Sequence, residues 1–337
     1  MAKIPPADAR LWEEDPGKLR LVGIARLAEM GEAVDSGHNV EFSTIPSRSI
    51  LNRCSSARMA PFVWTINPYR GCEFACRYCY ARYAHEYMEK DPLEFERKIY
   101  VKEHAAWLLS QELKKVKPGE GIAVGTATDP YQPIERRRGL TRSILEVLAR
   151  ASGLQIGLVT KSNLIVRDID LLKQIAERSS IRLHLTVTTT DTELARKLEP
   201  RAPRPDLRLE AVRRLRAAGL DAGVLCAPVL PGITDSVASL RSVVKAAKTA
   251  NAGFIGANPV YLYSGSLAVF MPFVREHFPK LVTYYEQNFT ATKSFVSEHY
   301  RKTFRDCFVQ LCREAGMNRR EDTDIDRRPQ PQARLFA

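Results

Sequence analysis

Asn67-Pro68-Tyr69-Arg70-Gly71-Cys72-Glu73-Phe74-Ala75-Cys76-Arg77-Tyr78-Cys79 is the stretch from which the rest of the chain is read. Its three thiols stand at C-x3-C-x2-C spacing, short enough for one loop to bring them to a common centre. Three is an incomplete set. A structural zinc site closes with four nitrogen or sulfur ligands, and a structural iron-sulfur cluster with four thiolates, so a tight trio leaves one metal position open. An open position points to chemistry. The alternative from the residues alone is a zinc knuckle closed by a remote fourth ligand, with Cys54 and His85 as candidates.

Outward from this loop, the chain reads as a soluble enzyme. Its 337 residues and 45% hydrophobic content can fill one α/β barrel with appendages. No run approaches the ~18 apolar residues of a membrane span. The N-terminus, Met1-Ala2-Lys3-Ile4-Pro5-Pro6-Ala7-Asp8, lacks an apolar signal core, so the expected location is the cytoplasm, with no membrane partner. Seven cysteines, three of them in one motif, suit a reducing compartment better than a disulfide framework. The net charge of +12, from 51 basic and 39 acidic residues, would concentrate phosphate-rich partners near the surface. Basic clusters occur at Arg136-Arg137-Arg138, at Arg201, Arg204 and Arg208, at Arg213, Arg214 and Arg216, and at Arg319, Arg320, Arg327 and Arg328. The third reads as the solvated face of an amphipathic helix. The fourth is interrupted by Glu321, Asp322, Asp324 and Asp326, which weakens it as a phosphate track.

Short β-type runs at 62–66, 121–125, 154–160, 181–188, 221–228 and 253–259 alternate with stretches of helical period at 103–116, 141–151, 169–178, 206–218 and 237–247. This is the pattern of repeated βα units around a parallel sheet. Gly153, Gly219 and Gly253 follow helices where a left-handed stop is useful. Residues 1–60 show no clear period apart from one or two helical turns at 23–30, and read as an N-terminal extension packed over the barrel. The barrel itself is expected over 61–262. Phe270, Phe273, Tyr284, Tyr285, Phe289, Phe295 and Tyr300 then predict a C-terminal helical cap over 263–318. The charged, proline-containing stretch 319–337 is expected to be a disordered tail.

In parallel barrels the reacting groups come from the C-terminal ends of strands. Those positions are polar here. After the second strand comes Gly125-Thr126-Ala127-Thr128-Asp129-Pro130-Tyr131-Gln132-Pro133-Ile134-Glu135, and after the third Thr160-Lys161-Ser162-Asn163. In the fourth, His184, Thr186 and Thr188 share one face by the period of two, and Leu183, Leu185 and Val187 share the other. The apolar face should meet the helices. The polar face then points inward, where hydroxyls could bind a ribose or a carboxylate, or simply satisfy one another.

The cysteine spacing, with a tyrosine inside its last step, resembles the radical S-adenosylmethionine (SAM) superfamily. Four stretches together narrow the resemblance to the group related to spore photoproduct lyase, over about residues 45–265: the cysteine loop, Thr128 to Glu135, Thr160-Lys161-Ser162, and Leu198-Glu199-Pro200-Arg201-Ala202-Pro203. The resemblance implies an α/β fold built as a partial (βα)6 TIM-like barrel. It implies a [4Fe-4S] cluster on Cys72, Cys76 and Cys79 whose fourth iron binds SAM, and cleavage of SAM to a 5′-deoxyadenosyl radical that abstracts hydrogen. It implies catalytic positions for Lys161 and Tyr80, with Lys161 pairing with the SAM carboxylate, and an adenine contact for Tyr78. Thr126, Thr128, Asp129, Ser162, Thr186 and Thr188 are the expected pocket lining. Arg201 is read either as a bidentate clamp on a carboxylate or phosphate, or with Glu199 as the pin of a proline-rich loop. Pro231-Gly232-Ile233-Thr234-Asp235 resembles the loop beneath adenine, while Thr234-Asp235 also suits the cap of the next helix.

A flavodoxin- or ferredoxin-type reductant is implied, and lyase kinship together with basic charge favours a nucleic-acid substrate. One departure stands out. The lyase carries a hydrogen-donating cysteine three residues before the aspartate that matches Asp129, and this chain has Thr126 there, whose O–H bond is too strong for the task. Cys226 is either a substitute or a small core residue; Cys307 and Cys312 read as structural, His85 and Glu86 as surface residues. From a different class, the chain would be a non-catalytic iron-sulfur or zinc module that binds nucleic acid, which has no need of Lys161 or of an inward polar face.

Overall fold

The computed structural model describes residues 22–37, 39–54, 62–290 and 292–320. Most of the tail expected to be disordered, 321–337, lies outside the described residues. After the helix Gly23–Glu29 come β1 (Ala33–Gly37), β2 (Val40–Thr44), β3 (Leu51–Arg53), β4 (Phe62–Ile66), β5 (Tyr69–Arg70) and β6 (Lys98–Val101). Then follow β7 (Gly121–Val124), β8 (Gln155–Thr160), β9 (Ser180–Thr186), β10 (Ala222–Val229) and β11 (Ile255–Pro259).

The six runs read as barrel strands are β4 and β7 to β11. They lie in the order β11-β10-β9-β8-β7-β4, each neighbouring pair parallel, with β3 antiparallel beside β4. The helices Ala105–Glu112, Leu140–Arg150, Ile169–Arg178, Pro205–Ala217 and Val237–Thr249 make the crossovers, where the helical period was read. Their stripes, such as Ile144-Leu145-Leu148 and Leu171-Leu172-Ile175, join Ile122, Val124, Ile156, Leu158, Leu183 and Leu185 of the strands in one core. Each such side chain, fully buried, contributes about 1.5–3 kcal/mol. Gly153 and Gly219 take the left-handed conformation (φ 71° and 84°), but after the fifth crossover helix that role falls to Asn251 (φ 56°) and not to Gly253. Gly253 is already part of the strand approach, donating its N–H to Ala222 O at 2.9 Å.

The sheet is not closed. It is concave, because one cavity of about 410 Å³ is lined from all six parallel strands, by Phe62, Ala123, Gly157, Thr186, Leu225 and Asn258 among others. Phe62 of β4 reaches past β7 to Gly157 of β8, where a Cβ would lie only 2.4 Å from its ring. The result is a partial barrel with an α/β wall.

The N-terminal part holds more regular structure than its sequence pattern suggested. β1 and β2 pair antiparallel, β2 pairs parallel with β6, and β6 antiparallel with β5, giving a second sheet in the order β1-β2-β6-β5. The alternation in β2 that buries Val40 and Phe42 spans too few residues to register as a period. At the other end lie the helices Ser264–His277, Val282–Asn288 and Glu298–Glu314. Phe270, Phe273, Val274, Tyr285 and Phe289 pack in one apolar cluster with Cys72, Phe74, Cys76 and Tyr78, so this helical region backs the cysteine loop. Among the described residues no helix is long and apolar enough to cross a membrane.

Candidate active site

The cysteine loop leaves the barrel at the end of β4 and is clamped by the loop that follows β7. Gly71 O accepts from Thr128 Oγ1 (2.6 Å) and Gln132 Nε2 (3.3 Å), and Gln132 Oε1 accepts from Glu73 N (2.9 Å). Glu73 in turn accepts from Ile134 N at 2.7 Å, and Asn67 Oδ1 accepts from Ala127 N at 2.8 Å. From the other flank, Arg77 N donates to Leu198 O (2.9 Å). Cys72 and Cys76 are 8% exposed, Cys79 is half-buried, and all three border the cavity.

Among the described residues no three His, Cys, Asp or Glu side chains are gathered closely enough for a single metal ion. His85, read as a surface residue, is fully buried; its Nε2 pairs with Lys98 O at 3.0 Å and its ring packs against Phe95 and Tyr100. Three thiols from one short loop border the same cavity, a donor set that suits an iron-sulfur cluster with one free corner. Burial pushes all three thiols up, Cys76 to about 12, so a positive centre is needed to hold them as thiolates.

Beside the thiols stands Lys161, its Nζ 5.7 Å from the centre of the Tyr78 ring. Burial works to lower its pKa, but Cys76 and Glu199 outweigh that and raise it, so it is a cation at neutral pH. Asp129 fixes the backbone there, accepting from Thr160 Oγ1 (2.7 Å), Lys161 N (2.7 Å) and Tyr131 N (2.9 Å). The Tyr78 hydroxyl donates to Glu199 and meets Thr188 Oγ1 at 3.1 Å. Glu199 forms a buried ion pair with Arg208 (2.5 Å), whose guanidinium also donates to Thr186 O and Pro203 O. Tyr80 donates to Thr126 O and lies edge-on to Tyr261.

Of the residues singled out from sequence, Cys72, Cys76, Cys79, Tyr78, Tyr80, Thr126, Thr128, Asp129, Lys161 and Thr186 border the cavity. Three others do not. Ser162 caps the turn after β8 by accepting from Leu164 N, Thr188 is held by Glu199 and Ala227 O, and Arg201 is exposed on the outer flank of the loop. Cys226 is fully buried in the core and is not in the cavity wall. Thr234 bonds within its own loop, Asp235 accepts from Gly232 N and from the Tyr300 hydroxyl, and the cap of the next helix is Ser236, accepting from Ser239 N at 3.2 Å. His184, also foreseen as inward-facing, borders the cavity with an unpartnered Nδ1. Asn258, Tyr261 and Arg320 border it too and were missed. For the first two the signal was present, since they lie at or just past the end of the sixth strand.

A model of the radical SAM superfamily matches residues 66–243. An uncharacterized protein of Mycobacterium tuberculosis is 34% identical over 274 residues, which cover 81% of this chain and 80% of the relative. One from Methanocaldococcus jannaschii is 33% identical over 172 residues, covering 51% and 62%. Among solved structures, a cysteine-to-serine mutant of spore photoproduct lyase superposes with a TM-score of 0.62 at 15% identity, over 81% of this chain and 79% of that one. A mutant of the same lyase with bound AdoMet and dinucleoside spore photoproduct gives 0.59 at 15% identity, with the same coverage. At that identity the likeness is one of fold.

Proposed function

This chain belongs to the radical SAM superfamily, and from that premise we propose that Cys72, Cys76 and Cys79 hold a [4Fe-4S] cluster, that SAM occupies the cavity beside them, and that the substrate is a nucleic acid. The observation that carries this reading is that two buried thiols, a half-buried third and the Lys161 cation line one cavity. When bound, the cluster and SAM supply a 5′-deoxyadenosyl radical able to take a hydrogen atom from a substrate. The chain's own residues bind, orient and shield. Lys161 offers a point charge to a carboxylate, and its backbone is fixed by Asp129. Tyr78, immobilised through Glu199 and Thr188, presents a ring face next to that charge. Phe62, Phe74, Tyr80 and Tyr261 give the cavity aromatic walls that would shield a bound substrate from water. The net charge of +12 supports a phosphate-bearing substrate. A low-potential donor of the flavodoxin or ferredoxin type is the partner this chemistry needs.

The test is anaerobic reconstitution with iron and sulfide, reduction with dithionite, and chromatography for 5′-deoxyadenosine after addition of SAM. The expected result is slow formation in the intact protein and none in Cys76→Ala. A cluster that forms and leaves SAM whole under strong reductant would overturn the catalytic reading and leave an iron-sulfur binding module in its place.

A further inference from the structure

A second cavity, of about 240 Å³, opens between the edge strand β11 and the helix Glu298–Glu314. Its helical wall is Arg301, Phe304, Arg305, Phe308 and Val309, positions that share one face of a helix. Phe304 and Phe308 are anchored in the main core, whereas Arg301 and Arg305 are exposed. Neither arginine side chain has a hydrogen bond or ion pair among the described residues. Arg319 lines the same cleft, and among the described residues none that lines it is acidic. Two like charges one helical turn apart repel each other, so the arrangement is unfavourable until an anion arrives. Asn258 and Pro259 border both this cleft and the main cavity. The end of β11 is thus a wall common to the two cavities.

We propose that this cleft is a phosphate-binding subsite, and that it anchors a phosphate of the substrate while the reacting part extends past Asn258 into the main cavity. The second half rests on the reading of that cavity as the SAM and substrate chamber. Phosphate is the anion that fits because it concentrates up to two negative charges on one centre, and its oxygens match the paired N–H donors of guanidinium. Carboxylates would need several separate side chains to supply the same charge in so small a space.

The experiment uses the full-length protein and a short fluorescein-labelled single-stranded DNA, with binding followed by anisotropy across a salt series. Arg301→Gln with Arg305→Gln should weaken binding about tenfold and make the log–log salt slope shallower by about one to two units. Arg301→Lys with Arg305→Lys keeps the charge, so it should keep the slope while losing part of the affinity. Arg213→Gln with Arg214→Gln, on the surface of the helix Pro205–Ala217, should change nothing. Competition by inorganic phosphate and by a mononucleotide identifies the source. Displacement by the mononucleotide at similar affinity assigns the subsite to free nucleotides, and displacement by oligonucleotide alone assigns it to a strand backbone. The proposal is overturned if the Gln pair binds as the parent does, if the Arg213/Arg214 control loses as much, or if the parent binds none of these probes. Formation of 5′-deoxyadenosine is measured in the same preparations. Its absence with phosphate binding intact would remove the reading of the main cavity and leave the subsite standing.

Discussion

Glu199 and Arg208 are each 1% exposed and 2.5 Å apart, the innermost ion pair of the candidate site. Burial works to raise the Glu199 carboxyl, but Arg208 and Lys161, with hydrogen bonds from Tyr78 and Arg208, hold it below the usual range. Glu199→Gln leaves the guanidinium buried without its counter-charge, which typically costs about 3–5 kcal/mol, and urea unfolding at neutral pH should show a loss of that order. The sign of the pH effect follows from the depressed pKa. The carboxylate's contribution is fully present above the ordinary value of 4.5 and is lost as the pH falls through the lower folded value, so the stability gap between parent and Glu199→Gln should narrow in acid. A gap that stays constant down to acidic pH would show that the pair does not hold this corner. In sequence, the thiol trio stood out because its spacing is short, and Lys161 because it follows the end of a β-type run. The pair did not, because Glu199 reads as part of a proline-rich loop and its partner lies on a helix crowded with arginines. A signal did exist: Arg208 shares the buried stripe Ala211-Val212-Leu215, unlike Arg213, Arg214 and Arg216.

Between elements, the close approach of β4 and β8 across β7 requires a glycine. Gly157 leaves space on β8 that the Phe62 ring of β4 fills, passing over Ala123 of β7. Gly157→Ala puts a methyl into that ring, and overpacking of this kind costs about 1–3 kcal/mol. Combining it with Phe62→Leu removes the clash, so the double variant should be more stable than the two single losses predict, by about 1 kcal/mol in thermal or urea unfolding. Strict additivity would mean that the two strands do not share this contact. The six parallel strands and five crossover helices were legible because each carries a β-type run or a helical stripe long enough to show its period. β1, β2, β5 and β6 were not. They are two to five residues long, and the parallel pairing of β2 with β6, which joins Glu41 to Lys98, is a tertiary contact that local pattern does not show.

At the scale of the whole molecule, charge is unevenly distributed around the cysteine loop. One side of the loop faces the cavity, and the other is braced by the helix Thr192–Leu198 and the turn after it, through Arg77 N to Leu198 O and Arg201 N to Phe74 O. This bracing leaves Arg196, Lys197 and Arg201 exposed behind the loop. Elsewhere on the surface, arginines are often neutralised: Arg204 pairs with Asp206, Arg213 with Glu210 and Arg275 with Glu286. Arg196 and Lys197 have no such partner among the described residues. If SAM and substrate fill the cavity as proposed, the back of the loop is the face left for an electron donor, and an acidic carrier would be steered there by these cations. Arg196→Glu with Lys197→Glu should therefore slow 5′-deoxyadenosine formation about tenfold or more when an acidic flavodoxin is the donor at low salt. The effect should shrink as ionic strength approaches 0.15 M, where the screening length falls to about 8 Å. Dithionite, which needs no protein docking, should reduce the variant and the parent at similar rates. Equal slowing with both donors would place the defect in the loop itself, and no slowing with either would mean that the carrier docks on another face.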